Sequence, residues 1–69
     1  MNFNDISAAM MMLFDELKND KASKGIIKKI DTAKSDEKLK EGFKDGIKRL
    51  RELDKNAMAD DLEKKIKGW

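Results

Sequence analysis

The longest apolar run in the chain is Ala-Ala-Met-Met-Met-Leu-Phe, residues 8–14, in a sequence that is 43% charged. A helix that lies on one side of a core shows a single apolar stripe, whereas a helix that is apolar on most sides must be covered on more than one side. We therefore expect the first helix to be the element against which the others pack. We also expect it to present more apolar surface than so short a chain covers by itself.

The length of 69 residues predicts a single domain, residues 1–69. Domains of this size bury a low fraction of their surface and usually depend on disulfides, a metal or self-association for stability. The chain has neither cysteine nor histidine, which excludes disulfides and removes the commonest transition-metal ligands. No cofactor motif and no calcium-loop pattern is present, so we expect no cofactor and no metal, and we favour a homodimer.

The composition predicts an all-α fold, a small bundle of three or four short helices with helix 1 central. Proline is absent, β-branched residues are few, and lysine, acidic residues, leucine, methionine and alanine dominate, which favours helix over strand. The 16 basic and 14 acidic residues are interleaved, as is typical of a solvated helical surface. We see no signal-peptide pattern and no apolar run long enough to span a bilayer, so we expect a cytoplasmic protein.

Helix 1 is predicted from about Asp5 to Lys18, with Asn4 as its N-cap. Its apolar residues follow a spacing of three and four, which places them on one helical face. This inward face comprises Phe3, Ile6, Met10, Leu13 and Leu17. With that face inward, Met11 and Phe14 are expected at its edge and Met12 near the opposite side.

Ser23 and Ser35 are the N-cap candidates of helices 2 and 3, and helix 3 is expected to run to about Asp54. Helix 2 carries a short apolar face, and helix 3 carries a longer one. These faces comprise Ile26, Ile27, Ile30 and Ala33 in helix 2, and Leu39, Phe43, Ile47, Leu50 and Leu53 in helix 3.

The best position for a further break is residues 54–56, because Asn56 tolerates the left-handed conformation that often ends a helix. Helix 4 would then run over about residues 57–67, with a short stripe of Met58, Leu62, Ile66 and Trp69. The alternative is one helix that runs unbroken over residues 36–67.

Two glycines, Gly42 and Gly46, interrupt helix 3 on one side. Each costs roughly 1 kcal/mol relative to alanine inside a helix, so a close approach by another backbone or side chain is the expected reason. The approach is either intramolecular, by helix 1 or 2, or intermolecular, and the sequence leaves both open.

The side chains available for catalysis are limited, because histidine, cysteine and tyrosine are all absent. Asp60 and Asp61 are adjacent carboxylates, but acid–base work needs a pocket that separates two pKa values. Their expected place in the first turn of helix 4 is explained by the helix dipole alone. A chain of this length also has little room for a substrate pocket, so we predict a non-enzyme.

Nucleic-acid binding is the alternative function, because cations recur at helical spacing along helix 3 and phosphate binding needs such clusters. These cations are Lys40, Lys44, Lys48, Arg51 and Lys55. Glu41, Asp45 and Glu52 lie on neighbouring rows and reduce the field. Binding to a membrane surface is suggested by Lys64, Lys65 and Lys67 together with Trp69, but that segment is short and its apolar face is needed for packing.

Protein–protein contact is the function that the sequence favours, because methionine is over-used on adaptable binding surfaces. Three short helices are not expected to cover the whole circumference of helix 1. We therefore interpret the chain as a small accessory or inhibitor protein, of a kind often found in phages and mobile elements, that binds a larger protein and self-associates. The candidate interface residues are Met11, Met12, Phe14, Gly42 and Gly46.

Overall fold

The computed structural model of the chain describes residues 3–67, and this part of it is all-α. The helices are α1 (Phe3–Leu17), α2 (Lys24–Asp31), α3 (Asp36–Glu52) and α4 (Asn56–Ile66), with a 3₁₀ turn at Lys21–Ser23 before α2. No strand occurs within residues 3–67, which confirms the predicted fold class. The predicted contributions of Trp69 and of the Phe3 side chain lie outside the described part of the chain.

The core is formed by apolar side chains from all four helices. Its buried apolar members are Ala9, Leu13, Leu17, Ile30, Phe43, Ile47, Leu50, Ala59, Leu62 and Ile66. Most of them lie on the faces that the helical spacing predicts, because residues three and four apart share one side of a helix. Ala9 and Ala59 belong to the core although they were not part of the predicted faces. Small residues contribute little to an apolar pattern, yet they allow helices to approach closely.

The helix that packs most extensively against its neighbours is α3, which lies against both α2 and α4. The helix α1 contacts α2 and α4, and it reaches α3 through Leu13. The sequence predicted α1 as the central helix, and the structure adds α3 to that position. The two helices share it, with α1 supplying large core side chains and α3 supplying the close backbone approaches.

Gly42 and Gly46 are both buried and both face side chains of the same chain. A Cβ atom at Gly42 would lie 2.5 Å from Cγ1 of Ile30, and one at Gly46 would lie 2.6 Å from Cδ2 of Leu13. The intramolecular alternative is thus the correct one. The assignment of these glycines to an intermolecular interface was wrong, because α1 and α2 already fill the space beside them.

The predicted break between helices 3 and 4 is confirmed, but Asp54 rather than Asn56 makes the turn. Asp54 has a φ of 61°, and the N–H of Lys55 donates to the carbonyl of Leu50 at 2.8 Å. This is the hydrogen bond of a Schellman turn, in which glycine usually takes the left-handed position.

The predicted helix starts are only partly correct. Ser35 caps α3 as expected, since its Oγ accepts a hydrogen bond from the Lys38 N–H at 3.3 Å. Ser23 precedes α2 but makes no capping bond. Asn4 lies within the first turn, because α1 already begins at Phe3.

Candidate protein-interaction surface

The most exposed large apolar side chain among the described residues is Met11, at 72%. Met12 and Phe14 flank it, and each is half-buried and packs against the core. The prediction that Met12 lies opposite the core, with Met11 at the edge, was therefore wrong.

A small rotation of α1 explains this correction. The buried residues of α1 are Ala9, Leu13 and Leu17, whereas Met10 is only partly covered. Successive helical residues are about 100° apart, so replacing Met10 by Ala9 in the inward face turns the helix by about 30°. That turn brings Met11 to the middle of the outer side and carries Met12 towards the core.

Met11, Met12 and Phe14 share a shallow depression with Asp15 and Lys18, and we call these five residues the methionine patch. The Lys18 ammonium lies 3.1 Å from the Asp15 carboxylate, so the two charges of the patch pair with each other. The patch thus presents an apolar centre, closed at its C-terminal end by a neutral ion pair.

The other acidic side chains near the end of α1 are engaged elsewhere. Glu16 accepts a hydrogen bond from the Lys55 ammonium at 2.8 Å, which ties α1 to the loop before α4. Asp20 is held by Arg49 of α3 through two bonds, Nε to Oδ2 at 2.7 Å and Nη2 to Oδ1 at 3.0 Å. Neither acid therefore places free charge beside the methionine patch.

The Asp20 carboxylate is the centre of a polar network that sequence reasoning missed. Besides the Arg49 guanidinium, the fully buried Ser23 hydroxyl donates to Asp20. These hydrogen bonds, that from Arg49 first and that from Ser23 second, lower the pKa of Asp20 to about 2. The network fixes the 3₁₀ turn on α3, and no periodic signal could reveal it because its partners are 29 residues apart.

The cations predicted as a nucleic-acid face are divided between pairing and exposure. Arg51 donates to Asp60 at 2.8 Å and to Glu63 at 2.7 Å, which raises the pKa of Arg51. Lys55 is paired with a carboxylate of α1, as described above. Lys44 and Lys48 are exposed and form no ion pair with another described residue, so they keep their charge available.

The acidic residues of α3 that were expected to reduce the field also have partners. Lys29 of α2 lies 2.9 Å from Asp45 and 3.9 Å from Glu41. The Asp45 bond raises the pKa of Lys29. The carboxylates of Glu41 and Asp45 therefore bind Lys29 across the α2–α3 contact. They also lie beside the cations that recur along α3.

An open cleft of about 730 Å³ lies between α3 and α4, which corrects the expectation that so short a chain has little room for one. Its walls combine Ile47 and Ile66 with charged side chains. The charged members are Lys40, Lys44, Asp60, Glu63, Lys64 and Lys67. The two acids of the cleft, Asp60 and Glu63, are both bonded to Arg51.

Asp60 and Asp61 do not form the acid pair that the sequence allowed. Because α4 begins at Asn56, neither lies in its first turn, and the helix-dipole interpretation was wrong. Asp61 bonds Lys65 at 2.7 Å on the solvent side. Over the described residues, no group of three or more acidic side chains is placed to hold a metal ion.

Comparisons with protein families, curated proteins and solved structures find no match for this chain. Within residues 3–67, no helix has the length and apolar character needed to cross a membrane.

Proposed function

We propose that this chain is a non-catalytic protein-interaction module, a small accessory or inhibitor protein that binds a larger protein and also self-associates. The methionine patch is its docking surface. The observation that carries the proposal is the 72% exposure of Met11 between the half-buried Met12 and Phe14. Single exposed apolar side chains are common on protein surfaces, but an apolar patch shared by several neighbouring residues is a feature of protein-binding sites.

The energy available at the patch is large for a chain of this size. Sheltering about 100 Å² of apolar surface at roughly 25 cal/mol per Å² contributes about 2.5 kcal/mol. A single small core rarely supplies more than about 3–5 kcal/mol. Covering the patch is therefore comparable with the stability of the isolated domain, which favours a partner there.

Met11→Lys is expected to abolish self-association and partner binding while the helices remain formed. The charge falls at the centre of the patch, where a partner would have to desolvate it, but it is already exposed in the free chain and costs little there. Sedimentation equilibrium measures the mass of the protein at high concentration, and circular dichroism measures its helix content. Affinity capture from an extract of the native host tests whether the protein partner is still bound.

Ala57→Lys is the matched control, since Ala57 is exposed on α4 and is not one of the five residues of the patch. It should leave mass and capture unchanged. Equal loss in both variants would mean that added charge, not the patch, disrupts binding. An unchanged Met11→Lys variant would remove the support for the proposal.

The alternative function is a nucleic-acid-binding accessory that uses the basic side of α3. The observation in its favour is the pair of exposed lysines, Lys44 and Lys48, that lack an ion-pair partner among the described residues. Against it, Arg51 and Lys55 are committed to salt bridges within the fold.

Any binding of DNA or RNA is expected to be weak and to disappear near physiological salt. Two phosphate contacts give a slope of about −2 in log affinity against log salt, hence more than about tenfold loss between ~20 and ~150 mM. Fluorescence anisotropy with labelled oligonucleotides measures it, with Lys44→Glu compared against Lys24→Glu on α2. Sub-micromolar, sequence-selective binding at ~150 mM salt would rank this function above protein interaction.

A further inference from the structure

We propose that the cleft between α3 and α4 binds an acidic amphipathic helix of another protein. Carboxylates of that helix lie against the lysines of both walls, and one of its aliphatic side chains lies over the floor. The cleft shares no residue with the methionine patch, so the inference goes beyond the proposed function and is tested separately from it.

Each wall of the cleft carries two lysines that are one helical turn apart. Lys40 and Lys44 belong to α3, whereas Lys64 and Lys67 lie at the end of α4. The rise of a helix separates such pairs by about 4.5–6 Å along its axis. Carboxylates on consecutive turns of another helix have the same spacing, which favours a helical ligand with acids at i and i+3 or i+4.

The positive charge of the cleft is not cancelled by its own acids. Both acidic residues of the cleft accept hydrogen bonds from Arg51, at 2.8 and 2.7 Å. Lys44, Lys64 and Lys67 are exposed and form no ion pair with another residue in the range 3–67. Three ammonium groups are therefore available to an anionic partner, and complementary charge of this kind directs association.

The floor of the cleft is aliphatic, which adds a second requirement to charge. Ile47 and Ile66 form it, at 8% and 7% exposure. Lysines cover apolar surface with their methylene stems while the ammonium group stays in water, so the walls extend the apolar strip. A ligand that brings only charge leaves this strip uncovered, whereas an amphipathic helix covers it with a leucine or isoleucine.

The shape and lining of the cleft disfavour the other anionic ligands. Small-molecule sites bury about 70–90% of their ligand, which an open cleft between two helices does not do. A nucleic-acid strand gains from aromatic side chains on which its bases stack, and none of the described residues that line the cleft is aromatic. A helix needs neither, because its outer face is covered by its own protein or by water.

The two ends of the cleft differ, and this difference places the ligand. Residues 53–55 join α3 to α4, and Asp60 and Glu63 lie nearer to this turn along the chain than Lys64 and Lys67. Acidic side chains of the ligand are repelled at the turn end and attracted at the lysine end. The ligand is therefore expected to set its acids beside the lysines and its uncharged residues beside the turn.

The test uses a fluorescein-labelled, alanine-rich helix of about 15 residues that carries glutamates on two consecutive turns beside a leucine. Fluorescence anisotropy is expected to show that Lys44→Glu with Lys64→Glu weakens its binding at least about tenfold. Lys24→Glu with Lys28→Glu is the matched control, since it changes the net charge equally on exposed positions of α2 that do not line the cleft. The control should bind the probe within about twofold of wild type, and circular dichroism checks that both variants keep their helices.

A probe with serine in place of leucine should bind several-fold more weakly, and one with glutamines in place of the glutamates should not bind. Equal loss in the two double variants would mean general attraction of anions and would overturn the inference. So would a serine probe or a single-stranded oligonucleotide that binds as well as the leucine probe, or no binding of the leucine probe at ~1 mM. Met11→Lys should bind the probe like wild type, so failure of the cleft leaves the methionine patch unaffected.

Discussion

Gly42→Ala is expected to lower the free energy of unfolding by about 1–2 kcal/mol, although alanine is the better helix former. The new Cβ would meet Cγ1 of Ile30 at 2.5 Å, with the Ile30 Cα and N at 3.5 Å. Ile30 is 98% covered and its Cγ1 lies next to its backbone, so it has little room to move aside. Overpacking costs about 1–3 kcal/mol, which exceeds the roughly 1 kcal/mol that helix propensity returns.

Gly25→Ala is the matched control for this prediction. Gly25 is exposed in α2, and nothing lies within 4 Å of the position of its Cβ. The same chemical change should there raise stability by about 0.5 kcal/mol. Thermal or urea unfolding followed by circular dichroism gives both values, and opposite signs are the expected outcome. A Gly42→Ala protein as stable as Gly25→Ala would show that α2 and α3 do not meet as described.

Asp20→Asn is expected to destabilise the protein at neutral pH and to make it less sensitive to acid. The side chains of Asp20 and Arg49 are only 20% and 25% exposed. An asparagine amide in place of the carboxylate cannot form the two charge-assisted hydrogen bonds that Asp20 accepts from Arg49. Because the fold lowers the pKa of Asp20 from 3.8 to about 2, it stabilises the ionised form. That contribution is complete above about pH 4, the unfolded value, and is lost as pH falls through about 2.

The measurement is unfolding by urea at several pH values across this window. Wild-type stability should fall more between pH 4 and pH 2 than that of Asp20→Asn, so the two curves converge in acid. Asp61→Asn is the control, since Asp61 pairs with Lys65 in an exposed i,i+4 bridge that contributes little. If the stability of wild type and of Asp20→Asn depends on pH in the same way, the hydrogen bonds between Asp20 and Arg49 do not form in solution.

The helices themselves could be predicted from local pattern, because periodicity, caps and breaks are properties of neighbouring residues. The Ser35 cap, the break after α3 and the burial of Phe43 and Leu50 all follow from spacing and residue type. The methionine patch could be predicted only in part from the sequence, because the exposure of Met11 rather than Met12 depends on a rotation of α1 by about 30°. That rotation is set by Ala9, whose small side chain carries almost no weight in an apolar pattern.

Contacts between distant residues could not be predicted at all. A face shows that a residue is inward but not which helix lies opposite it. Gly42 therefore allowed both an intramolecular and an intermolecular reason until Ile30 was seen against it. Asp20 and Arg49 each resemble ordinary surface charges in the sequence, because no local pattern links two residues that lie 29 positions apart.

The position of α3 between α2 and α4 has a consequence for the order of assembly. The two helices that pack most extensively against α3, α2 and α4, are its neighbours along the chain. Local contacts of this kind form quickly, because little chain entropy is lost in closing short loops. The helix α1 instead depends on residues far along the sequence, such as Gly46 against Leu13 and Lys55 against Glu16. We expect α1 to dock last. Before it docks, the methionines of α1 are exposed to solvent on all sides, while the other three helices are already packed together.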